Sequence, residues 1–262
     1  MSLPHFFIEG PLDCTQGENL SLTIDAPLMQ HLCTLRLQAG EGLVLVDAPG
    51  HAWELRLSTT PDKRAKRVQG TVVRELFSTR ESDLTLIQGI SAADRMDQTI
   101  RQVTELGVSC VIPLESERCT VRLDERRGAD KRSRWQRIAQ SAAEQSCQLW
   151  RPVIEKPTSL DRLADRLEGF DLILLFWEEP EGHALGKAFA AFADTAATTP
   201  LPLKVALLIG PEGGFSQDEV TRIRSHGAQT ITMGSTILRT ETAAVVACAL
   251  VLYHLGALGA RA

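Results

Sequence analysis

The sequence predicts an α/β fold in which a small N-terminal β-barrel precedes a parallel sheet with helices. Two observations lead to this prediction. Up to about residue 72 the chain consists of short β-rich stretches between turn residues, a pattern typical of a small barrel. From about residue 76 apolar strands alternate with helical segments, which is the order of βαβ units and of a parallel sheet. We therefore expect one domain at residues 1–74 and a second at 75–262.

The first domain contains five candidate strands and a helical patch at residues 27–37. Basic side chains in this domain are candidate RNA contacts, because phosphate contacts supply affinity that does not depend on sequence. A solvated basic surface is the alternative interpretation. The strands are expected at residues 5–9, 20–24, 42–47, 52–57 and 67–76. The basic candidates are Arg36, Lys63, Arg64 and Arg67.

The second domain opens with a βαβ unit. An apolar strand is expected at 84–90, then a helix at 92–106 that Gly107 ends, then a strand at 108–114. The most basic tract follows at 118–137, with eight Lys or Arg and three Asp or Glu. We interpret this tract as a contact surface for an anionic polymer, with a mobile solvated loop as the alternative. The candidate contacts, including one from the preceding helix, are Arg95, Arg118, Arg122, Arg126 and Arg127.

Two elements are expected before the most informative part of the domain. Residues 134–147 have the pattern of a helix, and residues 172–176 form a short apolar run that predicts a buried strand. Trp135 in this helix is either a core residue or a platform for stacking on a base.

The segment that follows combines a strand, a glycine-rich turn and a helix start. Five apolar residues at 205–209 predict a buried strand, and residues 210–214, the first glycine turn, end it. Ser216 and Glu219 have the spacing of a capping box, which starts the next helix. Such a turn leaves backbone N–H groups accessible to a ligand, because no side chains block its approach.

A second unit of the same kind follows directly. Residues 230–233 predict a short strand, residues 234–236 form the second glycine turn, and residues 237–243 lead into an apolar helix. Because the strands of a parallel sheet end at one edge, both turns are expected at the edge where open α/β sheets bind ligands. Neither turn has the Lys-Ser/Thr of a P-loop or the glycine spacing of a dinucleotide fold.

Composition excludes several other classes of protein. The hydrophobic fraction of 44% and the charged fraction of 23% are those of an ordinary globular protein, and the net charge of −5 argues against a protein covered by nucleic acid. The six cysteines have no metal-ligand spacing, so we expect reduced structural thiols and no metal. The apolar run at 243–259 is shorter than a membrane span, and no targeting segment is visible. We expect a cytoplasmic protein that does not contact membranes.

Four segments, in this order along the chain, resemble the RsmE family of SPOUT methyltransferases. They are DRMDQTIRQVTELGVSCVIPLESERC, RWQRIAQSAAEQSC, LLIGPEGGFSQDEV and MGSTILRTETA, which begin at residues 94, 134, 207 and 233. The resemblance covers most of residues 75–256, whereas residues 1–70 share only length, strand pattern and position with the family. It implies a C-terminal trefoil knot at about 205–245, a PUA-like RNA-binding barrel at 1–74 and a homodimer. It also implies that S-adenosylmethionine methylates N3 of one uridine in 16S ribosomal RNA of the small ribosomal subunit.

The chemistry of the reaction that the resemblance implies assigns candidate roles to individual residues. Arg239 is the first candidate for a catalytic residue, because a guanidinium can stabilise the enolate oxygen of deprotonated uracil or hold a phosphate. Glu241 either accepts the N3 proton or complements the helix dipole. Glu212 is either a cap of its loop or a base. The cofactor is expected to contact Gly210, Pro211, Glu212, Gly213, Gly214, Met233, Gly234, Ile237, Leu238 and Thr240.

The chain departs from the family pattern at two positions. Gln102 and Gln148 stand where basic residues are usual in the family. Two alternatives to the main hypothesis follow from this departure and from the breadth of the superfamily. The protein is either a SPOUT methyltransferase acting on another RNA or a catalytically inactive RNA-binding module.

Overall fold

The computed structural model describes residues 2–62, 64, 66–92, 94–178 and 182–258. The chain divides into two compact units, one of Met1–Thr79 with Ala143–Arg151 and one of Arg80–Ala142 with Pro152–Ala262. The sequence-based division at residue 74 separates two continuous domains, whereas the structure groups Ala143–Arg151 with the N-terminal residues.

Backbone and side-chain contacts explain why this distant segment belongs to the first unit. The Gly50 N–H donates to the Leu149 carbonyl at 2.9 Å. The Leu149 side chain packs against the buried Val44, Val46 and Ala52. Hydrophobic burial therefore joins residues that are about a hundred positions apart in the chain, which a sequence pattern does not reveal.

The first unit is a five-stranded sheet with one helix. β1 pairs with β3 in parallel, and the other neighbouring pairs are antiparallel, in the order β1-β3-β4-β5-β2. All five strands lie where the sequence predicts them. The elements are β1 His5–Phe7, β2 Asn19–Thr23, α1 Ala26–Thr34, β3 Gly42–Ala48, β4 His51–Leu57 and β5 Arg67–Phe77.

The second unit is a parallel α/β sheet, as predicted. Its strands follow the order β11-β13-β10-β12-β6-β7-β8, with β9 paired to β7, and every pairing is parallel. Its elements are β6 Ser82–Gly89, α2 Arg95–Leu106, β7 Cys110–Glu115, α3 Glu125–Gln145, β8 Val153–Ile154, β9 Thr158–Ser159, α4 Leu160–Leu167, β10 Leu172–Phe176, β11 His183–Ala184, α5 Leu185–Thr198, β12 Leu203–Ile209, α6 Gln217–Ser225, β13 Gln229–Thr232 and α7 Thr240–His254.

The central strands are buried on both faces. Leu174 and Leu207 point into a core that includes residues of α2 and α7, whereas Leu175 and Leu208 point into the opposite core with α4 and α6. This explains the unbroken apolar runs of β10 and β12, which alternation on a half-exposed strand would not produce.

Most predicted helix boundaries agree with the structure, but the start of α3 was predicted wrongly. α3 begins at Glu125, nine residues before the predicted start at 134. Asp124 caps it, because its Oδ1 accepts the Arg127 N–H at 2.8 Å. The charged first turns carry no apolar periodicity, so the pattern that reveals amphipathic helices is missing there. Part of the tract interpreted as a possible mobile loop is therefore helical.

Two helix ends match their sequence signals. Gly107 ends α2 with φ of 99°, a left-handed conformation that favours glycine. Ser216 and Glu219 form the predicted capping box of α6. Among the helices that the structure describes, none is long and apolar enough to cross a membrane.

Candidate functional site

A cleft of about 830 Å³ opens at the carboxyl ends of β10, β12 and β13. Both glycine turns line it, although β10 lies between their two strands. Every residue predicted to contact a cofactor lines this cleft, and so do Arg239, Glu241, Arg95 and Arg118. Its volume lies in the range of small-molecule sites. The structure thus brings together residues that the sequence separates by more than a hundred positions.

The first glycine turn is packed closely against the end of β6. A Cβ atom added to Gly89 would lie 2.3 Å from the Pro211 nitrogen, a distance that real Cβ atoms do not reach. Within the turn, Gly214 has φ of 66° and its N–H donates to the Pro211 carbonyl at 2.9 Å. Glycine at position 89 therefore permits the backbone of the turn to lie directly on the neighbouring strand.

Glu212 ties this turn to the start of α2. Its Oε1 accepts the Ala92 N–H at 2.9 Å and the Arg95 guanidinium at 2.7 Å. Burial alone would raise the pKa of Glu212, but the hydrogen bonds from Ala92 and Arg95 outweigh it and lower the pKa below its usual value. A carboxylate held ionised in this way fits a loop cap better than a base. Arg95, which is predicted to contact RNA, uses one of its N–H groups in this ion pair.

The loop after β7 is tied to the same turn. The Arg118 Nη1 donates to the Gly213 carbonyl at 3.2 Å. Glu219, which is buried in the capping box of α6, also accepts the Glu117 N–H at 2.8 Å. Arg122 donates to the Glu117 carbonyl at 2.8 Å. The capping box therefore fixes a second loop in addition to starting its own helix.

Gln88 is a buried polar residue at this edge that the sequence analysis did not single out. Its Nε2 donates to Thr240 Oγ1 at 2.9 Å and to the Gly89 carbonyl at 3.0 Å. Thr240 Oγ1 in turn donates to the Gly210 carbonyl at 2.6 Å. An amide side chain inside the apolar run of 84–90 was the available signal, because a buried polar group needs partners.

The second glycine turn is much more exposed. Gly234 has φ of 97°, and its N–H donates to Thr232 Oγ1 at 3.3 Å. Ile237 is 78% exposed at the mouth of the cleft. Arg239 is the N-cap residue of α7, and Glu241 lies in its first turn. In the part of the chain that the structure describes, neither side chain has a hydrogen-bond or ion-pair partner, so both can meet a substrate.

The other predicted RNA contacts are distributed over both units. Arg36, Arg64 and Arg67 are exposed in the first unit, whereas Lys63 lies outside the described residues. In the second unit Arg122, Arg126 and Arg127 are exposed around the start of α3.

Trp135 is not a stacking platform, because only 2% of it is exposed and its Nε1 donates to Asp97 at 3.0 Å. Among the described residues no group of three or more His, Cys, Asp or Glu side chains could hold a metal ion.

Comparison with known proteins identifies relatives of this chain. The family model of the RNA methyltransferase domain matches residues 78–252. Ribosomal RNA small subunit methyltransferase E of Bacillus subtilis is 30% identical over 223 residues, which cover 84% of each chain. The crystal structure of a ribosomal RNA small subunit methyltransferase E from Neisseria gonorrhoeae bound to S-adenosyl methionine is 30% identical, with a TM-score of 0.76 over 96% of this chain and 98% of that one. A structure from Legionella pneumophila in complex with the bound cofactor SAM is 29% identical, with a TM-score of 0.77 over 97% and 98% of the two chains.

Proposed function

Because the chain belongs to the ribosomal RNA small subunit methyltransferase E family, we propose that it transfers a methyl group from S-adenosylmethionine to N3 of a uridine in 16S ribosomal RNA. One observation carries this proposal. The two glycine turns and the start of α7 converge on one cleft at the carboxyl edge of the parallel sheet. That is where open α/β sheets bind ligands.

The residues of the cleft fit S-adenosylmethionine. Ile231, Met233 and Leu238 supply apolar surface for an adenine ring, and the first glycine turn supplies backbone groups for its polar edge. When bound, the cofactor supplies an electrophilic methyl group on a sulfonium. The protein's own contribution is to bind, orient and exclude water.

Arg239 and Glu241 would act on the acceptor base. N3 of uridine must lose its proton before its lone pair forms a bond to the methyl carbon, while the carbon–sulfur bond breaks and S-adenosylhomocysteine leaves. Glu241 would accept that proton, and Arg239 would stabilise the negative charge on the uracil oxygen or hold a phosphate. Their lack of partners among the described residues supports these roles, since neither must break an existing contact first.

Positive side chains would hold the RNA. Arg118 lines the cleft, and three arginines lie exposed around the start of α3, where each can meet a phosphate. In this proposal the small ribosomal subunit or its RNA is the partner. The full set of proposed contacts is Arg36, Lys63, Arg64, Arg67, Arg95, Arg118, Arg122, Arg126 and Arg127.

Finer features of the architecture belong to the same proposal. The chain runs from β12 through the first glycine turn and α6 to β13, beyond β10, and then returns so that Thr240 bonds to the Gly210 carbonyl. This return supports a trefoil knot at about 205–245. The mixed five-stranded sheet supports a PUA-like RNA-binding barrel at 1–74. Exposed Leu250 and Tyr253 on α7 support a homodimer. The proposed ribosomal substrate supports a cytoplasmic location.

Methyl transfer to small ribosomal subunits that lack the modification tests the function. The assay uses S-adenosylmethionine labelled in the methyl group, and the labelled nucleoside is identified. We expect N3-methyluridine from the wild type and a loss of at least about a hundredfold in rate for Arg239→Ala, the size of losing one positioned charge stabiliser. Arg162→Ala removes an exposed arginine on α4 and is the matched control. Label in another nucleoside or RNA would show a different substrate, and cofactor binding without transfer would favour an RNA-binding module.

A further inference from the structure

We propose that Gln88 is a positioning residue that sets the geometry between the first glycine turn and the start of α7 through the hydroxyl of Thr240. This inference rests on the proposed function, because these two parts of the chain form the cofactor cleft. Gln88 does not line the cleft, whereas Gly210 and Thr240 both do. Gln88 therefore acts on the cofactor only indirectly, and Gly210 and Thr240 are the cleft residues that its amide nitrogen contacts.

The hydrogen bonds of this group have a defined direction. An amide nitrogen is only a donor, so Thr240 Oγ1 accepts from Gln88 Nε2 at 2.9 Å. The single hydroxyl proton of Thr240 is then directed to the Gly210 carbonyl at 2.6 Å. The relay runs from Gln88 through Thr240 to Gly210. Gln88 Nε2 also lies 3.5 Å from the Gly210 carbonyl, so the shorter bond of Thr240 reinforces a long direct contact.

The relay lies where small displacements matter most. Gly210 is the first residue of the first glycine turn, and Thr240 is the first residue of α7, directly after Arg239. Fixing the distance between Thr240 and Gly210 therefore fixes Arg239 relative to the turn. Since catalytic groups must be held within a fraction of an ångström, a residue that sets this spacing influences both binding and transfer.

Burial makes the relay sensitive to the loss of one member. Gln88 is 0% exposed and Thr240 is 7% exposed, so water does not readily replace a missing partner. Removing the Gln88 amide leaves the Thr240 hydroxyl without its donor. Removing that hydroxyl takes from the Gly210 carbonyl its donor at 2.6 Å, and it leaves the amide with the Gly89 carbonyl at 3.0 Å and a long contact to the Gly210 carbonyl at 3.5 Å. The hydroxyl of Thr240 is also committed to the protein. Its proton is not available for a hydrogen bond to the cofactor unless the relay breaks.

The test compares near-isosteric variants that remove or keep the relay. Gln88→Leu and Thr240→Val remove it, whereas Thr240→Ser keeps the hydroxyl. Thr99→Val is the matched control, because Thr99 on α2 is as fully buried as Gln88 and its Oγ1 has no hydrogen-bond partner among the described residues. The dissociation constant for S-adenosylmethionine is measured by calorimetry, thermal unfolding is recorded, and the rate of methyl transfer is measured at saturating cofactor.

We expect Gln88→Leu and Thr240→Val each to weaken cofactor binding about tenfold, which corresponds to about 1.4 kcal/mol. Transfer at saturating cofactor should also fall, because Arg239 shifts. Thr240→Ser and Thr99→Val should bind within about twofold of the wild type. The double variant should lose little more than the larger single effect, because both changes break one relay.

Three results would overturn the inference. Cofactor affinity unchanged in Gln88→Leu, or lowered equally in Thr240→Val and the Thr99→Val control, would reduce the relay to an ordinary structural contact. A double variant whose losses simply add would show that the two residues act separately. Wild-type protein that binds the cofactor but methylates no RNA would refute the proposed function alone, and the binding data would still decide the relay.

Discussion

The two glycine turns share one cleft but are held very differently. The first turn is tied to its surroundings on three sides: Glu212 to Ala92 and Arg95, Gly213 to Arg118, and Gly210 to Thr240. The second turn, in the described part of the chain, is held by hydrogen bonds between Thr232 and Gly234 alone. The same edge of the sheet therefore carries one turn with many contacts and one turn with few.

This difference indicates that the two turns have different roles in ligand binding. A turn fixed by buried and charge-assisted contacts is preorganised, so ligand binding does not have to order it. An exposed turn with few contacts belongs to the low-stability part of a fold and can adjust to what binds. We infer that the first turn positions the cofactor and that the second closes around it. The predictions below separate these roles.

The largest effect is expected from adding one methyl group beside the first turn. Gly89→Ala would place a Cβ 2.3 Å from the Pro211 nitrogen, a clash with backbone that no rotamer relieves. We expect about 3 kcal/mol or more of lost stability, at the upper end of overpacking effects, and loss of cofactor binding. Urea unfolding and calorimetric titration with S-adenosylmethionine measure both.

Gly234→Ala is the matching change in the second turn. No atom lies within 4 Å of the added Cβ, so the expected penalty of about 1–2 kcal/mol comes from the positive φ of 97° alone. Gly186→Ala in α5 also has open space around it and no positive φ, and it should be neutral or slightly stabilising. If Gly234→Ala loses more stability than Gly89→Ala, the second turn is the more tightly constrained of the two.

A smaller effect is expected when Glu212 loses its charge. Glu212→Gln keeps an oxygen for the Ala92 N–H but leaves Arg95 without a counter-charge. We expect a loss of about 1 kcal/mol, because the Arg95 side chain is 43% exposed and solvent screens part of the ion pair. Thermal unfolding measures it, with the exposed Glu9→Gln as control. If the two variants are equally stable, the ion pair between Glu212 and Arg95 does not stabilise the first turn.

The same pair predicts a dependence on pH. Since the folded protein lowers the pKa of Glu212, its contribution to stability is present above the ordinary value of 4.5 and is lost as pH falls through the lowered pKa. The stability difference between wild type and Glu212→Gln should therefore be constant near neutral pH and shrink below about pH 4.5. A difference that grows on acidification would contradict the direction of the shift.

The smallest effect on stability is expected at the tip of the second turn. Ile237 is 78% exposed, so Ile237→Ser should change the free energy of unfolding by less than about 0.5 kcal/mol. If the second turn closes on the cofactor, the same change should weaken binding severalfold, because the side chain becomes buried only in the complex. Leu35→Ser, at an exposed position that does not line the cleft, should leave cofactor affinity unchanged. Unaltered binding in Ile237→Ser would show that this turn does not close.

Local chemistry made much of the fold predictable. The capping box at Ser216, the αL glycine at 107 and the apolar runs of β10 and β12 depend on neighbours along the chain, and each lies where the sequence predicts it. The charged start of α3 was missed because its helix carries no apolar stripe.

By itself, the sequence determined the elements, the parallel sheet and the residues that gather at its carboxyl edge, since these follow from periodicity and turn chemistry. Only the tertiary structure decided how that edge is held together. It placed β10 between the strands of the two turns and paired Gln88 with Thr240, 152 residues apart. It also engaged Glu212 with Ala92, 120 residues away. Such contacts form between polar groups that the fold brings together, whether buried as at Gln88 or exposed as at Glu212, and the order of residues along the chain does not reveal them.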